Sequence, residues 1–214
     1  MTRRRWHSLP AFVAALLAFA TLGACGGDQP AALTCATPSE GLEVVDEQSG
    51  LRLCLPPNWR RLRAGDPGWL TIFDEADSHV ERNVREGSLR IFAVPLQPRE
   101  TDLLLNLSVY VYPTAAGKTV DEEGRAYEES IRKIEPAVTD IVSGTLALPV
   151  GPAFRISGTR PRGETATDRF SAYIVLVRNQ AYYVIYVSST SQADRYADMF
   201  LMSANSIEVL EPRP

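Results

Sequence analysis

Residues 172–187 read AYIVLVRNQAYYVIYV, two nearly unbroken apolar runs joined by the polar turn Arg178-Asn179-Gln180. Apolar runs of this length, rich in β-branched and aromatic residues and separated by a short turn, are typical of two paired strands. Because successive side chains of a strand point to opposite faces, strands that are apolar at every position need cover on both faces. The stretch therefore predicts a sheet that forms the middle layer of the fold.

Two other segments have the helical period needed to provide that cover. Thr119 begins a capping box with Glu122, acidic residues occupy the first turn, basic residues occupy the last turn, and Pro136 follows. From Ser191 onward, apolar or small residues recur with the i, i+3, i+4, i+7 spacing at positions 193, 196, 197, 200, 201 and 204. We expect helices in both segments, packed outside the sheet.

The remaining segments predict further strands. The sequence predicts a hairpin of two strands at Leu42–Asp46 and Leu51–Leu55, because Gly50 between them can take the left-handed angle of a tight turn. Additional strands are expected at 70–73, 89–95, 103–112 and 207–210. The predicted fold class is α+β, with a mostly antiparallel sheet covered by helices on both faces in an α/β/α sandwich.

The amino terminus has the layout of an export signal. Three arginines at positions 3–5 precede an apolar stretch at 11–20, which is shorter than the ~20 residues needed to span a bilayer. Leu22-Gly23-Ala24-Cys25 follows and resembles a lipobox. Residues 1–24 are therefore interpreted as a lipoprotein signal peptide and Cys25 as the lipidation site, with acyl chains such as palmitate as the membrane anchor. The alternative is an ordinary secretory peptide that leaves Cys25 as a free thiol or in a disulfide.

Residues 25–34 have the composition of a flexible linker, and residues 35–214 are the right size for a single domain. Removal of the signal takes three arginines from 22 basic residues, which leaves 19 against 26 acidic residues and a net charge near −7. This charge excludes nucleic acid as a partner. The expected location is extracytoplasmic, on the cell membrane or on the outer membrane of an organism that has one.

Two cysteines remain once Cys25 is lipidated. Disulfides persist in extracytoplasmic compartments, and Cys35 and Cys54 can pair only with each other within the chain. The expected outcome is a Cys35–Cys54 disulfide. The alternative is two buried, unpaired thiols.

The segment Gly50-Leu51-Arg52-Leu53-Cys54-Leu55-Pro56-Pro57-Asn58-Trp59 resembles the opening signature of the PsbP-like superfamily. Val150-Gly151-Pro152-Ala153, the Tyr182-Tyr183-Val184 hairpin and a last helix ending near Ser206 add to the resemblance, which spans about residues 42–210. That superfamily is named for an extrinsic photosystem II subunit and includes a eukaryotic Ran-binding import factor and LpqN-type bacterial lipoproteins. The resemblance implies an antiparallel sheet between helical layers and no catalytic residue.

The residues give little sign of catalysis. His79 is the single histidine after residue 24, and no Gly-x-Ser-x-Gly motif presents a nucleophile. Gly117-Lys118-Thr119 imitates the end of a phosphate loop, but Tyr112 stands where the first glycine belongs. We therefore predict no enzyme activity, no catalytic residue and no cofactor.

Two segments leave a binding role open. The segment Asp74–Glu81 is rich in acidic residues and is either a metal loop or, more commonly for such a run, a solvated loop, so no metal ligand is assigned. Arg160 and Arg162 lie near an expected hairpin tip, where they could meet an anionic partner or simply face solvent.

The resulting hypothesis is a non-catalytic binding or scaffolding module for an envelope protein or glycan. Its sign would be an exposed aromatic patch, and the alternative for the same side chains is ordinary core packing. The candidates are Phe92, Tyr110, Tyr112, Phe170 and Tyr173. A second hypothesis is a carrier that holds a small apolar ligand in a cavity between sheet and helix.

Overall fold

A computed structural model describes residues 35, 42–63, 66, 83, 86–97, 105–162 and 166–210. The strands are β1 (Leu42–Asp46), β2 (Leu51–Leu55), β3 (Trp59–Leu62), β4 (Leu89–Pro95), β5 (Asn106–Pro113), β6 (Thr139–Leu148), β7 (Gly151–Arg162), β8 (Ala166–Val177), β9 (Gln180–Ser189) and β10 (Glu208–Val209). The helices are α1 (Val120–Ile134) and α2 (Ala193–Asn205), and a 3₁₀ turn at Thr190–Gln192 precedes α2.

The strands form two antiparallel sheets. The larger sheet has seven strands in the order β3-β4-β5-β9-β8-β7-β6, and the smaller has three in the order β1-β2-β10. The apolar runs at 172–177 and 182–187 lie in β8 and β9, near the middle of the larger sheet, with Tyr173 opposite Val184. The intervening turn places Arg178 and Asn179 at φ 52° and 61°, which suits a tight two-residue hairpin connection.

The apolar side chains of β8 and β9 divide between two core clusters, as their alternation predicts. One cluster contains Ile131 of α1 together with Phe154, Ile174 and Tyr183 of the sheet. The other contains residues of α2 and of the smaller sheet, packed against Tyr173, Tyr182 and Tyr186 among others. A mostly antiparallel sheet with two helices is therefore confirmed, but α2 shares its side with a three-stranded sheet that the sequence reading did not separate from the larger one.

The first hairpin forms as predicted. Leu51, Leu53 and Leu55 are all buried, whereas Cys54 lies on the opposite face of β2. Gly50 has φ +70°, and its carbonyl accepts a hydrogen bond of 2.7 Å from the backbone N–H of Leu210. A side chain there would meet that backbone, so both the angle and the close approach require glycine.

Helix α1 has the predicted cap. The Thr119 side chain accepts a hydrogen bond from the backbone N–H of Glu122, and the Glu122 side chain accepts one from the backbone N–H of Thr119. Helix α2 also forms, but its buried stripe is narrower than predicted, since Tyr196, Phe200 and Ala204 are buried. Positions 197 and 201 are exposed.

A Cys35–Cys54 disulfide is present, with the two Cα atoms 5.7 Å apart. The backbone of Cys54 is also held by the end of α2. Its N–H donates to Ser206 Oγ at 2.8 Å, and its carbonyl accepts from Ser203 Oγ at 2.6 Å. These two serines satisfy polar groups of β2 beyond the end of the short strand β10.

The signal, Cys25 and the linker lie outside the described residues, as do the expected strand at 70–73 and the loop Asp74–Glu81. Among the helices that are described, none is both long enough and apolar enough to cross a bilayer. Strands β3 and β6 were not predicted, and β8 and β9 are longer than the apolar runs that predicted them.

Candidate functional site

Four tyrosines from three elements meet on the α1 side of the larger sheet, and we call them the tyrosine cluster: Tyr110, Tyr112, Tyr127 and Tyr183. The rings of Tyr110 and Tyr112 stack nearly parallel, with centroids 6.4 Å apart and an interplanar angle of 7°. Tyr183 meets Tyr112 edge-on at 5.7 Å and Tyr127 at 5.0 Å. Such edge-to-face and offset pairs are favourable beyond the area they bury.

The fold places these rings together through the periods of strand and helix. Tyr110 and Tyr112 are two residues apart on β5 and therefore share a face. Tyr183 of β9 lies directly opposite Tyr110 in the β5–β9 register. Tyr127 joins from α1, one turn after the position where Gly124 packs directly on the sheet.

Glu123, also on α1, connects the cluster to polar groups. Its carboxylate accepts hydrogen bonds from the Tyr183 hydroxyl and, at 3.3 Å, from Thr114 Oγ1. It also forms an ion pair with Lys118 Nζ at 2.6 Å. The Glu123 side chain is only 13% exposed, and its carboxylate is held by three partners.

These contacts determine the charge states. Burial alone would raise the pKa of Glu123, but the Lys118 ammonium and the Tyr183 and Thr114 hydroxyls outweigh it and lower the pKa. Burial raises the pKa of Tyr183, and its hydrogen bond to the Glu123 carboxylate raises it further. Burial of its hydroxyl likewise raises the pKa of Tyr127. The ionised carboxylate of Glu123 therefore lies beside the protonated phenols of Tyr127 and Tyr183.

The expected aromatic patch is reduced to a pair. Phe92, Phe170 and Tyr173 are at most 5% exposed and belong to the core. Tyr110 is half-buried, and Tyr112 is 36% exposed. The Tyr112 hydroxyl also donates to Asn83 Oδ1 at 3.3 Å. The surface of the cluster thus offers a stacked ring face beside hydroxyl, carboxylate and ammonium groups.

This arrangement suits binding better than catalysis. The raised pKa values of Tyr127 and Tyr183 keep these two phenols protonated, which favours a role as hydrogen-bond donors over one as nucleophiles. Lys118 and Glu123 neutralise each other. Nowhere in the described ranges do three or more His, Cys, Asp or Glu side chains gather in a way that could hold a metal ion.

Arg160 and Arg162, for which an anionic partner and a solvated turn were both left open, form ion pairs within the chain. Arg160 Nε and Arg162 Nη1 lie 3.2 Å and 3.7 Å from Oδ2 of Asp168, whose side chain is 2% exposed. Arg160 also approaches Glu135 at 3.8 Å. The positive charge of the two arginines is therefore balanced by the carboxylates of Asp168 and Glu135. The contact with Glu135 joins the end of the β7–β8 hairpin to the end of α1.

Glu123, Tyr127 and Tyr183 were not singled out as site residues. The sequence assigned Glu123 to the acidic first turn of a helix and the two tyrosines to helix packing and a hairpin. A signal was present, because tyrosine recurs at alternate positions 110 and 112, once more in a predicted strand at 183 and once in the covering helix at 127. It could not be used without knowing that β5 pairs with β9.

No protein-family model and no curated protein matches the chain. Among solved structures, cyanobacterial PsbP from Synechocystis sp. PCC 6803 is similar with a TM-score of 0.54 at 14% identity, covering 88% of this chain and 98% of that one. The Saccharomyces cerevisiae Ran-binding protein Mog1p is similar with a TM-score of 0.50 at 11% identity, covering 79% and 95%. Mycobacterium tuberculosis LpqN, described as involved in cell envelope biogenesis, follows with a TM-score of 0.46 at 10% identity, covering 79% and 90%.

Proposed function

We propose that this chain, which has the PsbP-like fold, is a non-catalytic module that binds an envelope protein through the tyrosine cluster while Cys25 carries a lipid anchor. The fold alone does not select a function. The argument therefore depends on the surface that this particular sequence presents.

The observation that carries the proposal is the exposed ring of Tyr112, which packs against the rings of Tyr110 and Tyr183. Tyrosine is enriched at protein interfaces because it brings a large apolar ring and a hydrogen-bonding tip at little entropic cost. Here the ring is fixed in advance by its contacts with Tyr110 and Tyr183. A side chain that is already ordered loses less entropy on binding, which favours affinity.

The polar groups beside the rings offer hydrogen bonds that would orient a bound partner. The Lys118–Glu123 pair lies next to Tyr183, and the Asn83 amide lies next to Tyr112. Neighbouring apolar and paired polar groups are the usual composition of an interface core and rim. The yeast relative in fold is itself a Ran-binding protein, so the architecture is compatible with a protein partner.

The anchor explains why a partner in the envelope is proposed. The lipobox-like segment before Cys25 would place the domain on a membrane surface, and the segment that follows could extend roughly 30 Å if fully stretched. Such a tether keeps the domain near the bilayer while it leaves the tyrosine cluster free to approach a neighbour. An envelope glycan is the other partner class that a tyrosine ring face can contact.

The apolar-ligand carrier is not favoured by the core. Tyr186 is 0% exposed. Its ring is in contact with Phe200 at 4.7 Å and with Tyr173 at 5.9 Å between centroids. Large side chains thus fill the space between the sheet and α2, where a carried ligand would have to lie.

Photo-crosslinking in intact cells tests the binding surface. A benzophenone amino acid at Tyr112 should give a discrete adduct with one envelope protein. The same amino acid at Met202, which is 56% exposed on α2, is the matched control and should not give it. A polysaccharide smear from position 112 would replace the protein partner with a glycan, and equal adducts from both positions would refute the site.

Membrane fractionation tests the anchor separately. Cys25→Ala should move the protein from the membrane fraction to the soluble fraction and abolish its lipid mass. Unchanged partitioning, or a mature amino terminus without acyl chains, would refute the anchor while leaving the tyrosine cluster to be judged by crosslinking.

A further inference from the structure

Strand β6 is the outermost strand of the larger sheet and has an open side. It pairs with β7 on one side and, within the described residues, with no strand on the other. Seven of its ten residues are exposed, including Val142 at 64%. Edge strands normally carry lysines, prolines or bulges that prevent pairing with another chain.

In β6, features that prevent pairing with another chain occur at one end of the strand only. Asp140 is its single charged residue, and it lies with φ 52° in an irregular stretch between Thr139 and Val142. After this bulge the pairing with β7 is regular as far as Leu148. The segment from Val142 to Leu148 therefore presents backbone N–H and C=O groups along an unprotected edge.

The sequence of this segment is symmetric about Gly144 when residues are grouped by chemistry. An apolar residue, a hydroxyl residue, glycine, a hydroxyl residue and an apolar residue follow one another in Val142-Ser143-Gly144-Thr145-Leu146. In an antiparallel pair of two such strands centred on Gly144, Val142 lies opposite Leu146 and Ser143 lies opposite Thr145. Cross-strand pairs of like kind each stabilise a ladder by ~0.2–1 kcal/mol.

We propose that β6 pairs antiparallel with β6 of a second copy of this chain, about a two-fold axis at Gly144. The two seven-stranded sheets then become one continuous sheet, and the interface is isologous, as in most dimers. Apart from its chain neighbours, nothing described lies within 4 Å of the position that a Gly144 side chain would occupy, so the space beside Gly144 on that face of the sheet is open.

Charges on α1 agree with this two-fold arrangement. Ser143 Oγ donates to Glu128 at 2.6 Å, so the side of α1 that carries Glu128 faces the β6 edge. Residues on that side follow the helical period and alternate in sign: Asp121, Arg125, Glu128 and Arg132. An antiparallel α1 from the second copy sets Arg125 against Glu128 and Asp121 against Arg132, so that every facing pair has opposite charge.

The position of the two-fold axis along α1 also agrees with the row of charges. The chain turns back between α1 and β6, so the step from Ser143 to Gly144 moves toward the start of α1 by about 3.3 Å. That distance corresponds to about two helical residues at 1.5 Å each. The axis at Gly144 therefore lies near residue 126, midway between Arg125 and Glu128, which is the centre of the charge row.

The interface is small. Stable complexes commonly bury ~1,200–2,000 Å² in total, and a ladder of five to seven residues beside two helix sides falls below that. We expect a dissociation constant on the order of 10–1,000 µM for the protein in dilute solution. Confinement on a membrane would raise the local concentration, but the pairing requires no anchor.

Disulfide trapping tests the axis. In Gly144→Cys, the two new thiols lie opposite each other at a Cα separation of about 4.5–5.5 Å, within disulfide range. Oxidation of the full chain with copper phenanthroline should therefore give a covalent dimer on a non-reducing gel. Val142→Cys is the matched control on the same exposed edge, because its two copies would be about 13 Å apart along the ladder.

The two variants separate the outcomes. A dimer from Gly144→Cys alone supports the proposal. Equal dimer from both variants, no dimer from either, or a mixed disulfide of Gly144→Cys with a different protein would overturn it. The trapping is carried out in a Cys25→Ala background, and Cys35 and Cys54 are paired with each other, so no native thiol contributes to the trapped product.

Sedimentation equilibrium gives an independent measurement without a covalent bond. Wild-type protein should show a concentration-dependent monomer–dimer equilibrium. Val142→Lys, which places a charge opposite Leu146 of the second copy, should raise the dissociation constant at least tenfold with an unchanged circular dichroism spectrum. A wild-type protein that stays monomeric up to millimolar concentration would refute the pairing.

Discussion

Gly124→Ala gives the sharpest test of how α1 is seated on the sheet. In an ordinary exposed helix position this change stabilises by about 1 kcal/mol, because alanine loses less backbone entropy than glycine. Gly124, however, is buried against the ring of Phe154, which is itself 1% exposed. A methyl group on Gly124 would overlap three atoms of that ring.

The magnitude follows from these two opposing effects. Carbon atoms in contact prefer about 3.5–4.0 Å, so the ring or the helix must move by about 1 Å or more. Overpacking of this kind costs about 1–3 kcal/mol, and the cost is larger when the group that must move is fully enclosed, as the ring of Phe154 is. After the gain in helix propensity, we expect a net loss of about 1–2 kcal/mol, and a melting temperature lower by roughly 2–4 °C per kcal/mol.

Urea unfolding followed by far-ultraviolet circular dichroism measures the effect as a lower midpoint with an unchanged slope. Ala126→Gly is the matched control, because Ala126 is exposed on the same helix and reports the propensity difference alone. Phe154→Leu combined with Gly124→Ala should recover part of the loss relative to the sum of the single changes. A Gly124→Ala variant that is more stable than wild type would refute the close seating of α1.

Two further substitutions test the polar contacts. Because the folded-state pKa of Glu123 is lowered, its ionised carboxylate stabilises the fold at neutral pH, and this stabilisation is lost as the pH falls below the unfolded value of about 4.3. Glu123→Gln should therefore be less stable than wild type at pH 7, and the difference in urea midpoint should shrink toward pH 3. A difference that stays constant with pH would contradict the assignment. Ser206→Ala removes the acceptor for the part-buried N–H of Cys54 and should cost about 1–3 kcal/mol in urea unfolding. Ser130→Ala, on the exposed side of α1, should change stability little, and an equal effect of both serine changes would argue against that hydrogen bond.

Much of the fold could be predicted because the local signals were strong. The capping box at Thr119, the left-handed Gly50 and the two apolar runs of β8 and β9 each depend on a few neighbouring residues. Their physical rules act over one turn of chain. These elements formed as predicted, with boundaries that differ by a few residues in the longer strands.

Strand β6 was missed for a physical reason. Most residues of this edge strand are exposed, on both of its faces, so its sequence lacks the sustained apolar alternation by which strands are recognised. The hydroxyl and glycine residues around Gly144 resemble a loop in composition. Only its pairing with β7 defines it as a strand.

The tyrosine cluster could not be predicted, because it depends on lateral pairing between distant strands. Tyr110 and Tyr183 are neighbours only because β5 lies beside β9 in a fixed register. Sequence alternation indicates which face a residue takes but not which strand lies next to it. Of the five aromatic candidates, Phe92, Phe170 and Tyr173 are core residues, whereas Tyr110 and Tyr112 belong to the cluster, whose other two members come from the structure.

The disulfide has a mechanical consequence for any pull on the residues before Cys35. Tension entering there passes through the sulfur bridge directly to Cys54, so that residues 36–53 form a closed loop that carries no load. From Cys54 the force divides between β2 and the serine hydroxyls at the end of α2. The first hairpin cannot be unzipped from its free end, and resistance to stretching falls instead on the joint between the smaller sheet and the last helix.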